Sequence, residues 1–141
     1  MAREELGVRT VAPVTGAAYA NFVPGTGRPM RIIEIGCSVV TAAASGIGLG
    51  LAANTPVSST TTLGESQDNV VAVGGIGTAW TTAPTAPVKF KRRLLIPATI
   101  GLGIIWRFDE PGLLVTDQKL VIWNFHTATA AALDLYAIWE E

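Results

Sequence analysis

The sequence is poor in the residues that most chemistry requires, with one cysteine, Cys37, and one histidine, His126. A lone cysteine cannot close an internal disulfide, and no Cys or His partner stands at metal-ligand spacing from either residue. In the run Ile33, Ile35, Cys37 the cysteine reads as a small buried side chain rather than a reactive thiol. Any Ser-His-Asp arrangement would have to use His126, which falls in a connection between two strands and reads as a polar loop residue. Charge is scarce as well: 15% of residues are charged, where about 25% is usual. A formal charge of -1 and a pI near 5.8 give no electrostatic case for nucleic acid. Long apolar runs are missing too. A membrane-crossing helix needs roughly 20 consecutive apolar residues, and Gly, Pro, Thr, Asp or Arg breaks every run before that. The opening residues carry no signal-peptide core. The expectation is a soluble protein made in the cytoplasm, with no membrane span and no cofactor.

What is present is apolar side chain in short alternating segments. Hydrophobic residues make up 49% of the chain and mean hydropathy is +0.40. At 141 residues it is expected to fold as one domain. Burial stabilises by about 25 cal/mol per Å², so surplus apolar strand faces call for cover by partners.

Residues 118–139 show the pattern most clearly, reading as two strands joined by a short connection. In the second, Leu133, Leu135, Ala137 and Trp139 share one face, with Asp134, Tyr136 and Glu140 on the other. In the first, Leu120 and Ile122 point one way and Val121, Trp123 and Phe125 the other. Both faces are apolar, and the second set is the candidate oligomer interface.

Residues 1–29 are broken by Pro13, Gly16, Pro24, Gly25, Gly27 and Pro29 and read as an extended N-terminal arm. The domain proper spans 30–141. Strands are expected at 30–40, 47–51, 70–73, 88–96, 99–108 and 113–115. In the segment 47–51, Ile47, Leu49 and Leu51 alternate with Gly48 and Gly50, leaving one face of nearly bare backbone that permits close approach. Gly46, Gly48 and Gly50 resemble a phosphate loop only superficially, because a dinucleotide fingerprint needs a helix after the turn. The near copy at 100–104 suggests an equivalent strand. Residues 54–69 and 74–87 read as long loops, the second carrying Trp80 as a candidate contact residue or a lid over the protein's own edge. Lys89 and Lys91, with Arg92 and Arg93, suit a salt-sensitive contact to an acidic protein surface. Glu34, Asp134, Asp109 and Glu110 could in principle supply paired carboxylates, with nothing in the sequence to pair them. Short strands with Gly and Pro punctuation and no amphipathic helix indicate an all-β fold, a single antiparallel β-sandwich of jelly-roll type.

The succession Arg31-Ile32-Ile33-Glu34-Ile35-Gly36, Ile47-Gly48-Leu49-Gly50-Leu51-Ala52, Arg93-Leu94-Leu95-Ile96-Pro97, Gly101-Leu102-Gly103-Ile104-Ile105-Trp106, Gly112-Leu113-Leu114-Val115 and Leu120-Val121-Ile122-Trp123-Asn124 resembles small β-sandwich virion proteins of tailed bacteriophages. The likeness spans roughly residues 30–139 and rests on strand and turn pattern rather than on a catalytic motif. It implies a capsid decoration or cement protein, a homotrimer bound to the major capsid protein, or else a neck or tail part. A carbohydrate- or receptor-binding sandwich with Trp80 in its site is the alternative, and a hydrolase using His126 a third.

Overall fold

A computed structural model describes residues 2–141. Among them there are eleven strands and no helix: β1 (Arg3–Arg9), β2 (Ala18–Val23), β3 (Met30–Val39), β4 (Ser45–Leu51), β5 (Val57–Ser66), β6 (Val71–Thr82), β7 (Phe90–Ile96), β8 (Gly103–Arg107), β9 (Leu113–Val115), β10 (Leu120–Asn124) and β11 (Leu133–Glu140). All belong to one antiparallel sheet, ordered β7-β4-β10-β2-β6-β5-β1-β11-β3-β8, with β9 following β8 along β3. The all-β expectation holds, but the two separate layers of a sandwich are replaced by a single sheet curled into a half-barrel. Repeated register shifts between β5 and β6 contribute to the curl, since each bulge adds local twist and bend.

The curl brings both halves of the sheet around one core. Ile47 and Leu49 of β4, Leu120 and Ile122 of β10, Tyr19 and Phe22 of β2 and Ile76 of β6 pack in one cluster with Ile32 and Ile35 of β3 and Leu133, Leu135 and Trp139 of β11. The two edges, β7 and β8, are not joined by a ladder. Between these two borders the Arg92 guanidinium sits 5.3 Å from the ring centre of Phe108.

Alternation in β11 is as the sequence indicates, with Leu133, Leu135, Ala137 and Trp139 all buried. In β3 the inward set changes parity: Met30 and Ile32 point in, then Ile35, Cys37 and Val39. The cause is a bulge, because Ile138 pairs with Glu34 and Trp139 with Ile32, which leaves Ile33 as the extra residue. Ile33 is therefore half-buried and does not share the buried face of Ile35 and Cys37.

Other expectations change with long-range pairing. Segments 120–124 and 133–140 do not form a hairpin: β10 lies between β4 and β2, and β11 between β1 and β3. The supposed arm is woven into the sheet. β1 pairs with β11 along its whole length, and β2 lies between β10 and β6 with Tyr19, Ala20 and Phe22 fully buried. Pro13, Gly16, Pro24, Gly25, Gly27 and Pro29 fall in the links beside these strands rather than inside them. The expected loops at 54–69 and 74–87 are mostly the long strands β5 and β6. Residues 99–102 form a turn ahead of β8, so the near copy of β4 is not its structural equivalent.

Candidate interaction surface

β6 and β7 are consecutive in the chain but lie on opposite sides of β2, β10 and β4 in the sheet. The connection 83–89 must therefore cross three strands. It does so as a strap over the outer face, the face opposite the main core. The bare glycine face of β4 receives it: Phe90 lies over Gly48, and Pro87 and the Lys89 carbonyl lie over Gly50, where an added Cβ would meet Phe90 at 2.5 Å and Pro87 at 2.9 Å. Asn54 fastens the strap, donating from Nδ2 to the Ala83 carbonyl at 2.9 Å while its Oδ1 accepts from the Thr85 N–H at 2.9 Å and the Thr85 hydroxyl at 3.1 Å.

Under the strap lies a second, smaller core of Val121, Trp123, Ala18 and Ala52, walled by Trp80, Phe90 and Phe125. Val121 is 0% exposed and Trp123 5%. These two residues are therefore not an oligomer interface: the chain's own residues cover the second apolar face of β10. Phe125 remains half-buried, with the Arg93 guanidinium 4.0 Å from its ring centre and 5.5 Å from that of Phe90. A cation over two rings adds a favourable electrostatic contact at the rim of this cluster.

Trp80 serves as wall, not as a projecting contact. Its indole N–H donates to Oδ1 of the fully buried Asn21 at 2.9 Å, and Asn21 in turn donates to the Gln118 carbonyl at 3.1 Å. Of the two readings of Trp80, the lid over the protein's own surface describes its place. Lys89 in the strap and Lys91 in β7 are exposed, and neither belongs to an ion pair among the described residues. Lys91 also stands at a bulge, since β7 advances from Phe90 to Arg92 while β4 advances one residue, so it has no cross-strand partner. Beside them Val88 is 85% exposed and Leu95 53%. This edge of the sheet is a basic strip with apolar neighbours and an unpaired backbone.

The opposite half has a different character. Tyr136 lies over Gly36 of β3 and its hydroxyl donates to Glu34 at 2.6 Å; Arg107 donates to the same carboxylate at 2.8 Å. The hydrogen bonds from Tyr136 and then Arg107 hold Glu34 below the usual carboxylate range, and the bond to Glu34 raises Tyr136. Asp134 is bridged by Arg9 at 2.9 and 3.1 Å, which lowers its pKa likewise. Asp134 pairs with Ser38, four positions along β3 from Glu34. At about 3.4 Å per residue that is roughly 14 Å, beyond the separation of a glycosidase pair. His126 receives no such arrangement; its backbone N–H donates to Asn124 Oδ1 at 3.0 Å and its Nδ1 is buried without a partner. Burial pushes the Cys37 thiol up to about 12.

Next to Tyr136 an open groove of about 790 Å³ runs between β1 and β5, lined among others by Glu5, Gly7, Leu63, Glu65, Tyr136 and Ile138. Sequence reasoning missed it, because it arises from strands that pair at one end only. β1 and β5 meet at Glu4↔Ser66 and Glu5↔Glu65 and then diverge. No family model, no curated protein and no solved structure matches this chain.

Proposed function

We propose that this chain is a structural component of a bacteriophage virion, a decoration or cement protein that acts as a homo-oligomer, with a trimer favoured, bound to the major capsid protein. The observation that carries the reading is the pair of uncovered sheet borders. Leu94 and Leu95 on β7, Ile105 on β8 and Leu114 on β9 are all exposed, as are Ile100 and Leu102 in the turn between β7 and β8. Open strand edges with aliphatic side chains are ready surfaces for association, and natural proteins cover or charge them. Here one edge is charged by Lys91, Arg92 and Arg93, which favours an acidic partner over indiscriminate pairing. The resemblance to phage β-sandwich virion proteins points the same way.

The contact surface in this proposal moves from Val121 and Trp123, which are internal, to the β7 and β8–β9 borders with Lys89 and Lys91. No reaction is needed. A protein that binds the assembled shell and not its separated subunits stabilises the shell by linkage, and many modest contacts add through avidity. The test is mass spectrometry of purified virions followed by imaging. Density for the chain on the shell, neck or tail supports a structural role and assigns the place; absence from intact particles overturns it.

A further inference from the structure

We propose that the groove between β1 and β5 receives the β7 edge of a second copy of this chain, in a head-to-tail contact. The inference rests on the assembly part of the function proposed above and supplies its geometry.

The groove has an unsatisfied electrostatic feature at its closed end. Glu5 and Glu65 stand directly opposite each other on antiparallel strands, an arrangement that is destabilising for like charges. Both are exposed, and the ion pairs among the described residues, Arg3–Glu140, Arg9–Asp134 and Arg107–Glu34, bring no cation to them. Beyond this pair the groove opens onto two strand margins without ladder partners. β1 has none on this side from Leu6 to Arg9, and β5 has none facing β1 from Val57 to Gly64. Its lining is apolar in part, with Leu63 44% exposed and Tyr136 and Ile138 beside it. Gly7 leaves the floor bare, since nothing lies closer than 3.9 Å to where its Cβ would be.

The same chain carries the complement. Among the described residues Lys89 and Lys91 have no ion-pair partner, Leu94 and Leu95 are exposed, and β7 has a backbone edge seven residues long without a ladder partner. At about 3.4 Å per residue that edge measures roughly 24 Å, comparable with the unpaired margin of β5. The two surfaces cannot meet within one molecule. Between β1 and the open gap separating the β8 and β7 borders lie β11, β3 and β8, a distance of roughly 15 Å along the sheet before β7 is reached. Lys89 and Lys91 of one copy thus lie at the Glu5 and Glu65 carboxylates of the next, with Leu95, on the same strand face as Lys91, against the Leu63 wall. Each copy then offers one groove and one edge on different parts of its surface. Such a heterologous contact closes into a ring or runs on as a filament, according to the rotation per step.

Charge reversal tests this directly. Sedimentation of the full chain across protein concentration should show self-association that weakens with added salt. Glu65→Lys and Lys91→Glu should each weaken it roughly tenfold or more, since like charges then face each other across the contact. Both positions are exposed, so neither variant should unfold below the parent, and Glu65→Lys, which turns the opposition to Glu5 into an attractive pair, should melt slightly above it. Mixing the two single variants, or combining both changes in one chain, should restore association. A parent protein that stays monomeric, or association that neither substitution weakens, overturns the proposal, as does failure of the mixture to recover. Self-association that follows this pattern in a protein absent from virions keeps the contact and removes the virion role; a virion protein that remains monomeric does the reverse.

Discussion

Asn124 offers the sharpest test of how the outer strands are held. Its side chain is wholly buried at the end of β10. Nδ2 lies 3.3 Å from the Pro13 carbonyl, 3.2 Å from that of Val14 and 3.0 Å from that of Ala128, and Oδ1 accepts from the His126 N–H at 3.0 Å. One amide thus ties the β1–β2 link to the β10–β11 link. An amide has two protons to share among those carbonyls, so about three hydrogen bonds are lost in Asn124→Ala. At about 0.5–1.5 kcal/mol each, the loss is roughly 1.5–4.5 kcal/mol, a large share of the 5–15 kcal/mol typical of a domain. With a urea dependence of about 2 kcal/mol per molar, the middle of the usual range, the unfolding midpoint should fall by about 1–2 M. Asn124→Asp should be worse than alanine, because it sets a buried carboxylate against carbonyl oxygens in place of two donors. Equilibrium urea unfolding, followed by tryptophan fluorescence, reads both. A loss under about 1 kcal/mol for alanine, or an aspartate variant as stable as the alanine one, would refute the reasoning.

Three further outcomes follow from the structure. Gly48→Val should displace Phe90 and loosen the strap, at a cost of about 1–3 kcal/mol from overpacking, with a red shift in fluorescence as Trp123 meets water. Glu4 is buried, and its Oε2 has no partner; burial first, and the Glu141 charge second, raise its pKa. A raised carboxylate pKa means that the charged form is penalised in the fold, so the penalty is present at neutral pH and disappears as pH falls below the carboxylate range. Glu4→Gln should therefore raise the melting temperature at pH 7, and the gain should shrink in thermal melts taken towards pH 4. Cys37, with its thiol held protonated to about pH 12, should resist a thiol reagent at pH 8 in the native protein and react once denaturant unfolds it.

Much of the inner face was legible from alternation. Leu133 to Trp139 and Ile47 to Leu49 show which side chains turn inward, because period two is a local property of a strand. Ile33 shows the limit: a bulge against Ile138 and Trp139 shifts the inward set, and a bulge depends on the partner strand, which lies about a hundred residues away in the chain. The double apolar face of β10 was visible, but its cover was not. Strand pattern says that Val121 and Trp123 are buried; only the path of residues 83–90 says by what. β5 reads as a loop because its threonines and serines face water, although threonine is a good strand former. For β1 a signal existed in charge: Arg3 and Arg9 pair across to Glu140 and Asp134 in β11, a complementarity that becomes visible once the two ends are set side by side. The Glu5–Glu65 opposition has no local signature, since it is created by register alone.

The pairing of β1 with β11 also governs how the molecule comes into being. Arg3 lies opposite Glu140, so β1 waits for a strand well over a hundred residues later before this ladder can form. β3 waits for the same strand on one flank. The sheet therefore cannot close before β11 is available, and closure proceeds at the slow pace set by pairings distant in sequence. A nascent chain halted before β11 should remain open to proteases, and one extended past it by a long linker should not.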